Sequence, residues 1–192
     1  MNYKLQKSCD SYKKFMDKNL MFFNKMFMID YKISEFFYNK LRDKLNLVYV
    51  IDAISYLINI SFVFYIIFLI NFSYIFLFII STAITYLLKL IVNRKRPYYY
   101  FDKRFAILVY ENHSFPSEHT VIATLSFIIT GNILVFIAPI IRIITLKHWL
   151  SDAIFSIIIS FGFYIFFSSF LNFSELYNLL ISYIKIIKYL GF

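Results

Sequence analysis

Long apolar runs along the chain are separated by short polar islands. Residues 47–92 are almost uniformly apolar, and their number suits two membrane crossings of ~20 residues each with a turn near Asn71. Apolar sequence resumes in residues 121–170, where Gly131 and Asn132 mark a tight reversal and a second polar island precedes the last run. The pattern therefore predicts five apolar helical segments: a pair, a short hairpin and a final helix.

The two ends of the chain are amphipathic. The first 45 residues carry ten Lys and Arg interleaved with Phe, Met, Leu and Ile, which is typical of a segment on an anionic membrane surface; a solvated basic helix is the alternative. A sixth span in residues 20–37 is disfavoured by four charged side chains, which are costly at mid-membrane. We expect an interfacial segment 1–45, a membrane core 46–171 and an interfacial, amphipathic tail 172–192.

Composition narrows the fold class further. The chain is 60% hydrophobic and 22% aromatic with only 16% charged residues and three Gly, which excludes a disordered, collagen-like or disulfide-stapled protein. Barrel-type alternation is missing, so we predict an all-α, multi-pass transmembrane bundle of about five to six membrane helices with interfacial N- and C-terminal helices. The net charge of +9 indicates a membrane surface rather than nucleic acid, because the charges flank apolar runs. Cys9 has no cysteine partner.

Three polar clusters border the apolar runs, where ionisable residues are functional candidates. In the first, Lys89 and Arg96 are seven residues apart, about two helical turns, and can share one face before Pro97 interrupts the helix. In the second, Ser117 and the backbone amides of a starting helix predict an anion cradle, with His119 one turn away. Each residue alone also fits an ordinary role as an anchor or a cap.

The third cluster contains Arg142, His148 and Asp152. The i, i+4 spacing of His148 and Asp152 predicts that the carboxylate accepts from one imidazole nitrogen and leaves the other free as a nucleophile or base. Cations, two histidines and a carboxylate at one membrane face suit a phosphate, whereas a divalent metal needs carboxylates or imidazoles around it. We therefore expect neither a metal nor another cofactor.

Together the three clusters resemble the three-part signature of the type 2 phosphatidic acid phosphatase superfamily, in order and in internal spacing. The matching motifs are Lys89-x6-Arg96-Pro97, Pro116-Ser117-x-His119 and Arg142-x5-His148-x3-Asp152. The resemblance covers roughly residues 89–152 and, with the apolar flanks, favours the membrane branch of lipid phosphatases.

The resemblance implies a role for each matching residue. His148 would attack phosphorus and form a phosphohistidine, Asp152 would orient it, and His119 would protonate the leaving oxygen and then activate water. The phosphoryl oxygens would be held by Lys89, Arg96, Ser117, Arg142 and the backbone amide of Glu118. Preorganised cations suffice for such a transfer, because phosphoryl transfer is mostly positioning and charge neutralisation.

Three departures from the family pattern affect these expectations. The family usually has Gly before the histidine of the second motif, whereas this chain has Glu118. In having a carboxylate at this position, the chain resembles some short bacterial undecaprenyl-diphosphate phosphatases. Ile141 replaces a usual Ser, at a cost of ~1 kcal/mol in phosphate binding. Only 22 residues separate His119 from Arg142, about 33 Å of helix, which is one crossing. If both face the same side, the hairpin must turn near mid-bilayer or be sheltered by other helices.

The leading hypothesis is an integral, multi-pass membrane phosphatase of the bacterial inner membrane whose partners are the bilayer and a lipid phosphate, with undecaprenyl diphosphate favoured. Phosphatidate, phosphatidylglycerophosphate and lipid A phosphate are alternative substrates. A non-catalytic membrane protein that retains the fold is the second hypothesis, and a channel or transporter fits less well because the ionisable groups cluster at span ends. Five spans would place the site beside the basic N-terminus in the cytoplasm, and six would place it outside.

Overall fold

The computed structural model describes residues 21–72, 74–106 and 113–189. In these ranges the chain forms seven α-helices, with one isolated antiparallel bridge between Lys95 and His113. The helices are α1 (Met21–Leu41), α2 (Leu45–Tyr65), α3 (Tyr74–Val92), α4 (Pro97–Phe101), α5 (Glu118–Thr130), α6 (Ile137–Ile144) and α7 (Leu150–Tyr189). The predicted all-α membrane bundle is confirmed. Expectations for residues 1–20, including Cys9, and for residues 190–192 lie outside the described ranges.

Three helices are long and apolar enough to cross a bilayer. They are α2 with its π-helical extension (Leu45–Ile70), α3, and the first half of α7 (Leu150–Ser169), with mean hydropathies of 2.3, 2.3 and 1.9. Their outward faces expose large apolar side chains such as Ile91, as expected of surfaces that contact acyl chains. The predicted turn near Asn71 is observed between α2 and α3.

A hairpin of two short arms inserts beside these spans. Helix α5 ends at Gly131, whose φ of +69° is the left-handed conformation that glycine adopts without strain. A 3-10 turn (Ile133–Phe136) then leads into α6. Side chains satisfy the backbone of the reversal: Asn132 N–H donates to Thr130 Oγ1 at 3.1 Å. Such internal satisfaction suits irregular backbone at membrane depth, and the predicted reversal at Gly131 is confirmed.

Helix α1 packs against the bundle at the end where α7 begins, in contact with α4, α6 and α7. Its charged residues Lys25, Lys32, Glu35 and Lys40 are exposed, whereas Asp30 is buried. Helix α1 therefore turns most of its charged side chains outward, and its inner face is polar at the point where it meets α7.

Helix α7 runs for 40 residues without a break at the expected boundary near residue 172. Its first half packs closely on α5, and small hydroxylated residues occupy this contact. Ser160 Oγ donates to Ser156 O at 2.6 Å, and Ser156 Oγ in turn accepts from Ser117 N–H at 2.7 Å. Small side chains allow the close approach of membrane helices, and this contact fixes the start of α5 relative to α7.

Candidate active site

A cavity of about 760 Å³ lies between α2, α3 and the hairpin, with one polar and one apolar end. Six of the residues singled out from the sequence line the polar end: Lys89, Arg96, Glu118, His119, Arg142 and His148. The apolar end is lined from α2 and α3 by Ile60, Val63, Phe64, Ile67, Ile75 and Ile79. His119 and Arg142 thus lie on the same side of the bundle, and the hairpin between them turns back before completing a crossing.

His148 lies in the short loop between α6 and α7, and its ring is held in one tautomer. Nδ1 is 2.7 Å from the backbone oxygen of Ser114. Because a carbonyl oxygen only accepts, Nδ1 carries the proton and Nε2 keeps its lone pair. Nε2 lies 3.4 Å from Nη1 of Arg96. The geometry leaves an unprotonated nitrogen beside a guanidinium at the polar end of the cavity.

The pKa of His148 is held well below its usual value. Burial is the main cause, and the neighbouring cations Arg96, Arg142 and Lys89, together with His119, lower it further. The imidazole is therefore neutral near pH 7, which is the form that a nucleophile requires.

Asp152 does not bond directly to His148, in contrast to the expected i, i+4 hydrogen bond. Its Oδ2 lies 3.9 Å from His148 Nδ1 and accepts instead from Ser114 Oγ and from Trp149 N–H, the latter at 3.0 Å. The i, i+4 rule assumes that both residues lie in one helix, but α7 begins only at Leu150. Asp152 therefore supports the imidazole through Ser114, whose carbonyl holds Nδ1.

Arg142 is anchored by a carboxylate from α2. Its Nη1 lies 2.6 Å from Asp52 Oδ1, and its Nη2 lies 3.4 Å from the hydroxyl of Tyr56. Asp52 also accepts from Thr145 Oγ1 at 3.2 Å. The sequence contained one signal for this pair, because Asp52 is the single carboxylate in residues 47–92.

Lys147 is a second cation beside Asp52, with Nζ 3.6 Å from Oδ2. Burial lowers the pKa of Lys147 to about 8; Asp52 opposes this shift, while Arg142 and Arg96 add to it. Asp52 is thus shared between two buried cations, of which Lys147 is the one that loses its proton at mildly alkaline pH.

Lys89 and Glu118 form an ion pair at the cavity wall. Lys89 Nζ lies 3.2 Å from Glu118 Oε2, and the side chains are 4% and 34% exposed. Lys89 comes from the last turn of α3, and Glu118 is the first residue of α5. The carboxylate at the position of the family's glycine therefore neutralises the first motif's lysine.

Ser117 does not line the cavity. It precedes the first residue of α5 and is fully buried, and its hydroxyl accepts from Thr120 Oγ1 at 2.9 Å. The first hydrogen bond within α5 is donated by Thr120 N–H, so the earlier amides of Glu118 and His119 have no partner inside the helix. Glu118 and His119, rather than Ser117, line the cavity.

Three further residues, which were not predicted as site residues, belong to the hydrogen-bond network around His148: Asp30, Arg94 and Ser114. The Arg94 guanidinium binds two carboxylates, with Nη2 2.8 Å from Asp30 Oδ2 and Nη1 2.5 Å from Asp152 Oδ1. Asp30 lies on α1, 64 residues earlier in the chain. No local spacing indicates such a contact.

The polar end of the cavity has the groups that phosphoryl transfer needs. It combines the cations Lys89, Arg96 and Arg142 with two imidazoles, one of which has an unprotonated nitrogen. Within residues 21–72, 74–106 and 113–189, no three His, Cys, Asp or Glu side chains are grouped so as to hold a metal ion.

Comparison with protein families finds one match, and it agrees with the predicted resemblance. The model of the PAP2 superfamily matches residues 70–141, which is 72 of the 192 residues. The match contains the first two motifs and ends one residue before Arg142. Searches of curated proteins and of solved structures find no significant match. The family match supports phosphoric ester hydrolysis on a lipid phosphate in general terms.

Proposed function

We propose that this PAP2-superfamily chain is an integral-membrane lipid phosphatase that releases phosphate through a phosphohistidine on His148. The observation that carries the proposal is the cavity itself, which joins cations and histidines at one end to an apolar groove at the other. A phosphate group fits the first end and a hydrocarbon chain fits the second.

The length of the groove favours a long-chain lipid. The lining of the whole cavity extends over eleven residue-to-residue steps of α2 and its π-helical extension, from Tyr56 to Ile67, and over fourteen steps of α3, from Ile75 to Lys89. At 1.5 Å per residue these stretches span about 16 and 21 Å, more than half of the bilayer's hydrocarbon core. We favour a polyprenyl diphosphate such as undecaprenyl diphosphate, with phosphatidate, phosphatidylglycerophosphate and lipid A phosphate as alternatives.

In the first chemical step, His148 Nε2 attacks phosphorus in line with the leaving oxygen. The N–P bond forms as the P–O bond breaks, and His119 gives its proton to the leaving oxygen. A bound phosphate anion favours the protonated form of His119 that this role needs. Arg96, Arg142 and Lys89 neutralise the phosphoryl oxygens, so the reaction needs no metal.

In the second step, water replaces the imidazole. Neutral His119 takes a proton from water as its oxygen attacks phosphorus, the N–P bond breaks, and inorganic phosphate leaves. His148 returns to the tautomer that its bond to Ser114 O specifies, and His119 is again the acid for the next turnover. Each proton given in the first step is thereby recovered.

The test of this function is phosphate release in detergent micelles containing a metal chelator. Undecaprenyl diphosphate, phosphatidate and phosphatidylglycerophosphate are offered to the wild type, to His148→Ala and to His113→Ala. His113 is the matched control because it does not line the cavity. We expect release by the wild type and by the control, and none by His148→Ala. Release that persists without His148, or folded wild type that releases nothing, would overturn the proposal, the latter in favour of a non-catalytic lipid-binding protein.

The apolar groove has its own test. Ala83→Trp adds a ring to the cavity lining, whereas Ile91→Trp adds the same ring at an exposed position of α3 that does not line the cavity. We expect Ala83→Trp alone to lose turnover of the long-chain lipid while both variants hydrolyse the water-soluble p-nitrophenyl phosphate. Equal turnover of the long-chain lipid in both variants would contradict a tail-binding groove.

A further inference from the structure

The start of α7 binds a buried carboxylate from the N-terminal helix. Asp30 is 2% exposed, and its Oδ1 accepts from Ser151 N–H at 2.9 Å while its Oδ2 accepts from the Ser151 hydroxyl. A carboxylate at this position satisfies a helix-terminal amide and complements the helix dipole. Asp30 thus fixes the first turn of α7, the turn that carries Asp152.

Asp30 also fixes Arg94, and Arg94 holds Ser114 by two routes. The backbone oxygen of Arg94 accepts from Ser114 N–H at 2.7 Å. Its guanidinium binds Asp152, which accepts from Ser114 Oγ. Ser114 O is the acceptor that sets the tautomer of His148. A continuous set of ion pairs and hydrogen bonds therefore leads from α1 to the imidazole.

Helix α1 orients the same guanidinium with an aromatic ring. Arg94 Cζ lies 4.6 Å from the ring centroid of Phe27 and 5.4 Å from that of Trp149. Stacking against these rings restrains the plane of the guanidinium, so that one end faces Asp30 and the other faces Asp152. Helix α1 supplies both the carboxylate and one of the rings.

We propose that Asp30 is a positioning residue for His148 and that helix α1 thereby completes the active site. The inference rests on the proposed function, since it assigns Asp30 to the reaction in which His148 is the nucleophile. Asp30 does not line the cavity and so does not touch substrate. Its loss should therefore reduce kcat and leave KM unchanged.

The experiment compares Asp30→Asn with Glu35→Gln, which removes the same charge from an exposed position of the same helix. We expect Asp30→Asn to lower kcat about tenfold or more at unchanged KM, the effect of losing a hydrogen bond to a charged group. Glu35→Gln should keep the wild-type kcat. Asp30→Glu retains the charge, so it should recover part of the kcat that Asp30→Asn loses. A kcat of Asp30→Asn equal to that of Glu35→Gln would refute the inference.

A double variant tests the route through Arg94. If Asp30 acts through Arg94, adding Asp30→Asn to the Arg94→Gln variant should reduce kcat by a much smaller factor than adding it to the wild type. Independent, multiplicative losses in kcat would show that Asp30 acts elsewhere.

A readout without turnover separates this inference from the proposed function. Diethyl pyrocarbonate modifies neutral imidazoles, and peptide mass spectrometry follows its rate at His148. We expect Asp30→Asn to raise this rate several-fold, because the ring is held less tightly, and Glu35→Gln to leave it unchanged. An inactive wild type with this difference refutes the proposed function and keeps the positioning role. An active wild type with equal rates in both variants overturns the positioning role alone.

Discussion

The two ion pairs at the cavity differ in burial and in what surrounds the cation. Arg142 and Asp52 are 2% and 0% exposed, and a tyrosine and a threonine add further hydrogen bonds to the pair. Glu118, the partner of Lys89, is 34% exposed and borders the cavity. A buried pair with additional hydrogen bonds fixes its cation, whereas a partly exposed carboxylate can be exchanged for another anion. We infer that Asp52 orients Arg142 permanently and that a substrate phosphate replaces Glu118 at Lys89.

Removing the buried carboxylate should have the largest effect. Asp52→Asn leaves the Arg142 charge uncompensated, and we expect a loss of about 3 kcal/mol in the free energy of unfolding. The misplaced cation should also lower kcat/KM by about 100-fold. Thermal unfolding in detergent and the phosphate-release assay measure the two effects.

The control for this prediction is Asp43→Asn, which removes a carboxylate that is 85% exposed from its pair with Arg42. A solvent-exposed pair contributes less than about 1 kcal/mol, so the free energy of unfolding and kcat/KM should both remain near the wild-type values. Equal losses in Asp52→Asn and Asp43→Asn would contradict the contrast between buried and exposed pairs.

Changing the cation of the buried pair should have a smaller effect. Arg142→Lys keeps the charge near Asp52 but cannot also reach the Tyr56 hydroxyl from a second nitrogen. We expect kcat/KM to fall about tenfold with little change in stability. A fall as large as that in Asp52→Asn would show that geometry, not charge compensation, dominates this pair.

Neutralising the exposed carboxylate should have a small effect, and of opposite sign. Glu118→Gln removes the anion that substrate displaces from Lys89, so we expect KM to fall about threefold at unchanged kcat. Steady-state kinetics on the preferred lipid measure both constants. A loss of kcat in this variant would instead assign the carboxylate to the chemical step.

The smallest expected effect is a shift in the pH dependence of kcat/KM when Glu118 is neutralised. Because neutral His148 is the proposed nucleophile and burial holds its pKa well below its usual value, kcat/KM should decline in acid, where Nε2 takes up a proton. Removing the negative charge of Glu118 further disfavours that proton. The acid limb of Glu118→Gln should therefore lie at a lower pH than that of the wild type, and a shift to higher pH would argue against this charge coupling.

The sequence predicts the cavity's own residues well because they lie within short motifs. Lys89 and Arg96 flank one helix end, and His119 lies in the first turn of α5, so local spacing and the apolar pattern bring them to one membrane face. The turns at Asn71 and Gly131 were predicted for the same reason, since each depends on local composition.

The supporting carboxylates could not be predicted in this way. Asp52 meets Arg142 across 90 residues and Asp30 meets Arg94 across 64, and tertiary packing alone decides these contacts. The expected bond between His148 and Asp152 failed for a local reason, because the helix begins after His148. A carboxylate within an apolar or interfacial helix is the one sequence signal that could have indicated these two contacts.

The most direct test of the account is to find the covalent intermediate. His119→Ala lacks the group that activates water, and the lipid phosphate that leaves from a diphosphate needs a general acid less than an alkoxide does. A lipid diphosphate radiolabelled on its terminal phosphate should therefore leave label on the enzyme. We predict an acid-labile, alkali-stable phosphohistidine on the peptide that contains His148, and no label in the double variant that also carries His148→Ala. Phosphate release by the wild type without any labelled protein, or label on a different residue, would contradict His148 as the nucleophile.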